Sequence, residues 1–280
     1  MSNKAKIRED AMSLNPMDDA LFQKMAESKD FCQEILQVIL GDKGLVVLTA
    51  NPQFMVKNLQ GRSCMLDAKC QLGNGKVVNI EVQKSDDDDH QRRVRFNGAL
   101  LTANLADPGS KFKQVPDVIV VFISKFDIFK SQRSLYHVDR IIRETGEIVD
   151  NGFTEIYVNA EVDDNTDVSE LMNVFVRDKA YDDVKFPVTS ASKRRYKTTE
   201  EGVREMCEVI ERNRAEGRAE GLAQGRAEGR AEGRAEGRAE GKASLIIGML
   251  KNKMKPEQIA QIAQMTVEQI VAIGKKAAVL

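Results

Sequence analysis

The sequence predicts a mixed α/β fold, in which helices flank a mixed central sheet and a helical C-terminal extension follows. Apolar residues recur at helical spacing over residues 15–41, and strand-like runs fill residues 46–83. The near-continuous apolar run from Val115 to Ile123 is typical of a strand that is buried on both faces of a sheet. Helical and strand patterns that alternate along one chain indicate an α/β protein.

Each element carries its own signals. In the first helical segment, Asn15-Pro16 suits a helix start and Gly41 suits a stop. This helical segment and the strand-like residues from about 46 to 83 begin the predicted order αα-βββ-α-β-β-α. The later elements are an acidic break at 85–89, a helix over about 90–105, the apolar strand, a short strand around 156–158 and a helix over 168–177.

The composition is that of a soluble globular protein, with 280 residues of which 42% are apolar and 30% are charged. The formal net charge of −1 offers nucleic acid no global positive field, so binding needs a local basic patch. The charged N-terminus has no apolar run behind it, and no stretch approaches the ~18 apolar residues of a membrane span. The four cysteines lack CxxC spacing, which predicts reduced thiols in a cytoplasmic protein without a membrane partner.

Changes in composition divide the chain into three predicted parts. Residues 1–200 form the α/β domain, and residues 201–243 contain an EGRA-type tetrad with glycine at every fourth position from 217 to 241. Residues 244–280 form a small helical module, in which Pro256 begins one helix and Thr266 N-caps the next. The second helix of this module lacks basic residues, which favours packing or assembly over DNA reading.

The tetrad segment is compatible with two structures. Each of its glycines costs a helix roughly 1 kcal/mol relative to alanine, and like charges face each other at i,i+4. The segment is therefore either a flexible charged linker or a long helix. In a helix, the stripe of glycine and alanine would let a partner helix approach closely, which predicts a homodimer through the C-terminal region.

Residues 63–83 predict a β-hairpin, because the Gly-Asn-Gly triplet at 73–75 is a strong turn signal between two strand-like runs. With the apex at the asparagine, Asp67 lies opposite Glu81. Side chains alternate between the two faces of a strand. The polar face collects Asp67, Lys69, Gln71, Asn79, Glu81 and Gln83, and the apolar face collects Leu66, Ala68, Cys70, Leu72, Val78, Ile80 and Val82.

The opposed acids have a physical consequence. Two carboxylates in such positions have β-carbons about 5 Å apart, and their like charges destabilise the sheet. Protonation of one acid, or a cation between Asp67 and Glu81, removes this penalty. A hard divalent ion such as Mg²⁺ takes carboxylate oxygens at about 2.1 Å and polarises phosphoryl groups. The alternative is a solvated hairpin face whose acids are screened or paired with Lys69.

These residues resemble the motif of the PD-(D/E)XK nuclease superfamily, an acid on one strand and (D/E)-x-K on the next. Asp67 matches the first acid, and Glu81-Val82-Gln83 matches the second element. The chain is more specifically similar to the Rpn family of recombination-promoting nucleases, also described as transposases. The matching residues are Asp19, Phe22 and Lys24 in a D-x-x-F-x-K pattern, Leu66-Asp67, Ile80 to Gln83, Arg93, Arg95 and Phe96, and the apolar strand that leads into Phe126-Asp127.

The resemblance covers roughly residues 15–130 and implies a restriction-endonuclease-like fold. It implies a Mg²⁺-dependent DNA endonuclease, with Mn²⁺ as an alternative ion. By position, Asp67, Glu81 and the Val82 carbonyl would bind the metal. Asp19 would bind a further ion or position water.

One position departs from the superfamily pattern. Gln83 stands where that pattern has lysine, and glutamine can hold a water or phosphate oxygen but carries no charge. Lys69 projects from the same predicted face and is the candidate for the missing charge. On the next helix, Arg92, Arg93 and Arg95 are candidate contacts to DNA phosphates, the alternative being a solvated basic face that balances the acidic run before it.

The sequence therefore predicts an endonuclease that hydrolyses phosphodiester bonds with little sequence preference and promotes recombination or acts on mobile DNA. The alternative function is a nuclease-fold module with weak catalysis that binds DNA or assembles protein partners. Asp86 to Asp89 with His90 form a weaker candidate for a second metal site, because an acidic run more often forms a solvated loop or a helix start.

Overall fold

The computed structural model describes residues 3–58 and 61–279, which form two compact units. The first unit ends at Glu211 and the second begins at Arg212. The three-part division by composition, with boundaries at residues 200 and 243, stays a prediction. None of the described helices is both long enough and apolar enough to traverse a membrane.

The first unit is built on one sheet of six strands. Its strands are β1 (Val47–Val56), β2 (Cys64–Leu72), β3 (Val77–Gln83), β4 (Val118–Ser124), β5 (Leu135–Val138) and β6 (Phe153–Asn159). The helices around them are α1 (Asn3–Ser13), α2 (Asp19–Ala26), α3 (Lys29–Ile39), α4 (His90–Leu105), the 3-10 helix Phe112–Gln114, α5 (Asp167–Val176), α6 (Pro187–Thr198) and the start of α7 (Glu200–Lys251).

The order of the strands in the sheet is β1-β2-β3-β4-β6-β5. β1, β2 and β3 run antiparallel, β3, β4 and β6 run parallel, and β5 closes the edge antiparallel to β6. This mixed sheet with helices around it confirms the predicted fold class. β4 begins three residues later than the apolar run, after Pro116, which has no N–H to donate to a neighbouring strand.

Helices cover the two faces of the sheet. On one face, α4 packs Val94 and Leu101 against residues of β3, β4 and β6. On the other face, α2, α3, α5, α6 and the start of α7 contribute to a larger apolar core that includes Phe22, Phe31 and Phe175. Because α4 covers the face that carries the predicted polar residues, Asn79 is 0% and Glu81 is 1% exposed. The alternative of a solvated hairpin face is therefore wrong at these two positions.

The predicted alternation of side chains fails at one residue of β2. Leu66 packs into the cluster beneath α4, whereas Ala68 packs into the core on the opposite face. Gln53 has a positive φ of 48°, and the paired positions of β1 and β2 pass directly from Pro52↔Ala68 to Phe54↔Leu66. The change of face between Ala68 and Leu66 thus coincides with an interruption of the β1–β2 pairing next to Asp67.

The second unit contains most of α7, then α8 (Pro256–Ala263) and α9 (Val267–Lys276). The tetrad segment is helical, and every described side chain from 211 to 242 is exposed. Thr266 N-caps α9, accepting a bond from the Gln269 N–H at 3.3 Å, as predicted. The small core of the second unit consists of Ile246, Leu250, Ile259, Ala260 and Ile270.

Candidate active site

The two acids of the hairpin lie where β2 and β3 part. The paired positions run from Gln71↔Val77 to Ala68↔Ile80, and Asp67 and Glu81 are the next residue on each strand. The predicted register is confirmed at Lys69, which pairs with Asn79. Beyond the last pair, the Asp67 carboxylate accepts a hydrogen bond from the Val82 N–H at 2.9 Å. The side chain of Asp67 thus replaces a main-chain partner at the end of the ladder.

Glu81 is buried beneath α4 and is held by three donors. Its Oε1 accepts from Asn79 Nδ2 at 2.8 Å and from Asn97 Nδ2 at 3.2 Å. Its Oε2 lies 3.3 Å from Arg93 Nη2. Asn97 and Arg93 are four residues apart and therefore share one side of α4. A buried carboxylate needs such partners, because transfer out of water is costly without them.

Burial disfavours the charged forms of both acids, and the charge of Glu81 adds to this effect at Asp67. Burial raises the pKa of Glu81, and the bonds from Asn79 and Arg93 oppose that rise. Burial and the charge of Glu81 raise the pKa of Asp67 to about 8, against the lowering effect of the Val82 N–H. The like-charge penalty that the hairpin register predicts is therefore present in the folded chain.

Asp19, at the start of α2, belongs to the same electrostatic cluster. Although part of its surface is exposed, the surrounding protein and Asp18 raise its pKa. The charge of Asp19 in turn raises the pKa of Asp67, and Arg93 lowers the pKa of both. The tertiary structure thus brings Asp19 near the hairpin acids, although these segments are far apart in the sequence.

Arg93 is the cation that contacts Glu81 in this cluster. Its Nη1 donates to Gln83 Oε1 at 2.9 Å while its Nη2 faces Glu81. Gln83 is fixed on its other side, where Nε2 donates to the Ser85 carbonyl at 3.0 Å. Lys69 instead lies with Nζ 4.2 Å from the centre of the Phe54 ring, and burial lowers its pKa. A side chain from α4, rather than one from the hairpin, brings positive charge to Glu81.

A cleft of about 550 Å³ opens beside these residues. Arg93 and Asn97, which contact Glu81, line it, and Arg62 and Arg92 make its wall more basic. Arg62 and Asn97 were not among the residues predicted from the sequence. The spacing of Asn97 from Arg93 could have indicated it, whereas nothing local to Arg62 marks that residue. The full lining is Arg62, Ser63, Cys64, Met65, Asp88, Asp89, Arg92, Arg93, Phe96 and Asn97.

The remaining predicted residues lie on or before α4. Arg92 and Arg95 are exposed, and Arg92 Nε lies 3.2 Å from Asp89 Oδ2. His90 is buried against the rings of Phe122 and Phe126. Within residues 3–58 and 61–279, no three histidine, cysteine or acidic side chains are arranged to hold a metal ion, neither at residues 86–90 nor at the acid cluster.

The donors at the end of the hairpin fit a hard divalent cation. Asp67 and Glu81 offer carboxylate oxygens, the ligands that such ions prefer. The Val82 carbonyl faces β2 as well, because its N–H does and both groups of one residue point to the same side of an extended strand. The raised pKa values of the two acids mark the repulsion that a bound cation would relieve.

One comparison with known proteins identifies a family. A family model described as PD-(D/E)XK nuclease family transposase matches residues 17–175, which include Asp19, Asp67, Glu81, Gln83 and Arg93. Neither the curated proteins nor the solved structures compared with the chain contain a significant match. The family model covers more than half of the chain and contains the whole acid cluster. The chain therefore belongs to the PD-(D/E)XK nuclease family of transposases.

Proposed function

We propose that the protein is a Mg²⁺-dependent endodeoxyribonuclease that hydrolyses phosphodiester bonds. The observation that carries this proposal is the acid pair at the end of β2 and β3, where Asp67 and buried Glu81 converge with Arg93 beneath α4. Membership of a nuclease family supports the same reaction class.

Asp67, Glu81 and the Val82 carbonyl would hold the divalent ion, and Asp19 would bind a further ion or position water. When bound, Mg²⁺ or Mn²⁺ would polarise the phosphoryl group and acidify a water molecule. The carboxylates must be deprotonated to bind, and Asn79 and Asn97 help by donating to the charged form of Glu81.

Arg93 would supply the positive charge that the superfamily lysine supplies elsewhere. Its guanidinium has a fork of donors that matches a phosphate, and it is charged at every relevant pH. Gln83 would act as a positioning residue, because its Oε1 accepts from Arg93 Nη1 at 2.9 Å. This assignment replaces Lys69, whose ammonium lies over Phe54.

Arg62, Arg92 and Arg95 would contact DNA phosphates. Phosphate contacts carry no direct sequence information, so cleavage with little sequence preference is expected. An activity of this kind would promote recombination or act on mobile DNA in the cytoplasm. The exposed glycine-containing part of α7 supports a homodimer through the C-terminal region.

A second candidate function is a catalytically weak module that binds DNA or assembles with protein partners. Two observations favour it. Gln83 replaces the motif lysine, and the described residues contain no group of three acidic, histidine or cysteine side chains that is ready to hold a metal.

A plasmid assay separates the two candidates. Purified full-length protein should nick or linearise supercoiled plasmid in Mg²⁺ and should lose this activity in a chelator. Asp67→Asn and Glu81→Gln should each abolish it, whereas Asp183→Asn, at an exposed acid that pairs with Arg194, should cleave like the wild type. Cleavage that survives both site variants would refute the assignment. Plasmid binding without cleavage in any divalent ion would support the binding module.

A further inference from the structure

A second and larger cavity lies beyond the acid cluster. Its volume is about 690 Å³, and it is bounded by the C-terminal half of α4, the 3-10 helix and the residues that begin β4 and β6. None of the residues that contact Asp67 or Glu81 lines it. The lining residues used below are Arg95, Phe112, Lys113, Asp117, Arg140 and Phe153.

Phe112 stands at the rim of this cavity with 94% of its surface exposed. Burial of a phenylalanine side chain stabilises a folded protein, so an aromatic ring left in water contributes nothing of this kind to folding. Both neighbours in the sequence are lysines, Lys111 and Lys113. An exposed ring between two cations is the arrangement that binds an unpaired base by stacking and its phosphates by charge.

The charges around the cavity also fit a phosphate backbone. Arg95, Lys113 and Arg140 contribute three positive charges to its lining. The acid in the lining, Asp117, is paired with Lys76 at 3.5 Å. The Arg140 guanidinium lies 5.1 Å from the centre of the Phe153 ring, which holds it at the cavity wall. The lining therefore combines apolar side chains with an excess of basic ones.

A third depression connects the cavity to the cleft at the acid cluster. It is lined by Asp89, Gln91, Arg92, Arg95 and Glu155. This depression shares Asp89 and Arg92 with the cleft at the acid cluster and Arg95 with the larger cavity. The three hollows thus follow one another along the exposed side of α4, with an arginine at each junction. From Arg92 to Thr102, this path extends about 15 Å along the helix axis.

We propose that a single-stranded segment of DNA follows this path, with its phosphates on Arg92, Arg95 and Arg140 and an unpaired base stacked on Phe112. The preferred substrate is then a duplex that carries an unpaired strand, such as an overhang or a flap. The inference rests on the proposed function and names its substrate class. An unpaired strand is required because the face of a base is free to stack on protein only outside the duplex.

Tryptophan fluorescence tests the stacking contact directly. The chain contains no tryptophan, so Phe112→Trp introduces a single tryptophan at the cavity rim, whose fluorescence is excited selectively at wavelengths that tyrosine does not absorb. Without divalent ions, which prevents cleavage, an oligonucleotide duplex with an unpaired strand should quench this fluorescence, and a blunt duplex should not. Val184→Trp is the matched control, because Val184 is 91% exposed, and neither oligonucleotide should quench it. Equal quenching by both DNAs, or no quenching by either, would overturn the inference.

Affinity measurements by fluorescence anisotropy complete the test. Phe112→Leu keeps an apolar side chain but cannot stack, so it should weaken binding of the overhang substrate roughly tenfold and leave blunt-duplex binding unchanged. Phe112→Trp should bind like the wild type. Arg140→Gln should make binding of the overhang substrate less dependent on salt, because one phosphate contact is lost. The magnitude of the negative slope of log affinity against log salt concentration should decrease by about 0.7.

The outcomes separate this inference from the proposed function. Plasmid cleavage together with equal binding of blunt and overhang DNA would overturn only the single-strand path. A chain that neither binds nor cleaves DNA would overturn both. Binding of an acidic peptide that depends on Phe112, without any effect of Phe112→Leu on DNA binding, would assign the cavity to a protein partner and overturn the inference.

Discussion

Among the individual residues of the acid cluster, Arg93 makes the most informative set of contacts. It donates to Gln83 and faces Glu81, and its charge lowers the pKa of Asp19 and Asp67. One guanidinium thus connects the strand that carries the motif to the helix that covers it. A lysine at the motif position would reach the acids from β3, whereas here the cation reaches them from α4.

Replacement of Arg93 tests this role. Arg93→Gln should lower kcat for plasmid cleavage about 100-fold, the effect of losing one preorganised donor to a developing charge. Arg93→Lys should recover part of the rate, because it keeps the charge but cannot contact Gln83 and Glu81 together. Arg92→Gln, at an exposed neighbour, should raise KM and leave kcat nearly unchanged. An unchanged kcat in Arg93→Gln would exclude the proposed role.

The acid pair makes stability depend on pH in a direction opposite to the usual one for carboxylates. The pKa of Asp67 is raised from 3.8 to about 8, so the folded chain binds more protons than the unfolded chain between these values. In a chelator, the free energy of unfolding should therefore fall as the pH rises from about 4 to 8. The expected loss is on the order of 2 kcal/mol, because the half-buried acid is partly screened.

Urea unfolding at several pH values in a chelator measures this dependence. An asparagine at position 67 cannot ionise, so Asp67→Asn should remove most of the dependence of the unfolding free energy on pH. Asp183→Asn should keep this dependence. A wild-type stability that rises over the same interval would contradict the raised pKa of Asp67.

At the scale of elements, the position of α4 on the sheet decides the geometry of the site. Gly98 allows its close approach, since a β-carbon there would lie 2.3 Å from the Phe153 ring and 3.1 Å from a Val120 methyl group. The same helix carries Asn97, which is next to Gly98, and Arg93, which lies between one and two turns before it. The distance of α4 from the sheet therefore affects the hydrogen bonds that Arg93 and Asn97 donate to Glu81.

Gly98→Ala should reveal this link. The added methyl group should force α4 away from the sheet and destabilise the first unit by about 1–3 kcal/mol in urea unfolding. It should also lower kcat at temperatures where the variant is fully folded, because Arg93 and Asn97 move with the helix. Ala99→Ser, on the exposed side of α4, is the control and should change neither quantity. A stable and fully active Gly98→Ala would contradict the contact.

At the scale of the whole molecule, the long helix raises the question of assembly. All described side chains from 211 to 242 are exposed, and α7 is 52 residues long. The part of α7 from 211 to 242 contains seven glycines and has no buried side chain, and a helix of this kind is marginal in water. A second copy of the helix, which could approach closely over glycine and alanine, would supply the missing contacts.

Sedimentation measurements test this dimer. The full chain should sediment as a dimer, and a chain that ends at Glu211 should sediment as a monomer. Gly229→Leu with Gly233→Leu should also give a monomer, because the larger side chains keep the helices apart. Gly229→Ala with Gly233→Ala is the matched control and should stay dimeric. A full chain that is monomeric at high concentration would exclude the dimer.

The shortened chain should keep its fold, since the two cores of the sheet contain no residue beyond Ile210. Its urea unfolding midpoint for the sheet domain should match that of the full chain. A shortened chain that fails to fold would show that the second unit contributes to the stability of the first.

Much of this organisation follows from the sequence because it depends on neighbours along the chain. The turn at 73–75 and the alternation of residues set the hairpin register, so the opposition of Lys69 and Asn79 was predictable. The helix over 90–105 was predictable from its limits, since Asp89 caps it and Asp107-Pro108-Gly109 follows it. The alternating elements predict the mixed α/β class in the same way.

The tertiary structure alone decided how the acids are held. The burial of Glu81 depends on α4 folding back over the sheet, and the choice of Arg93 over Lys69 depends on where that helix lies. Leu66 lies on the other face where the pairing of β2 with β1 is interrupted next to it, at Gln53. Such contacts join segments that are distant in the sequence, so no local pattern encodes them. The sequence by itself determined which acids form the pair, and long-range packing determined which cation they meet.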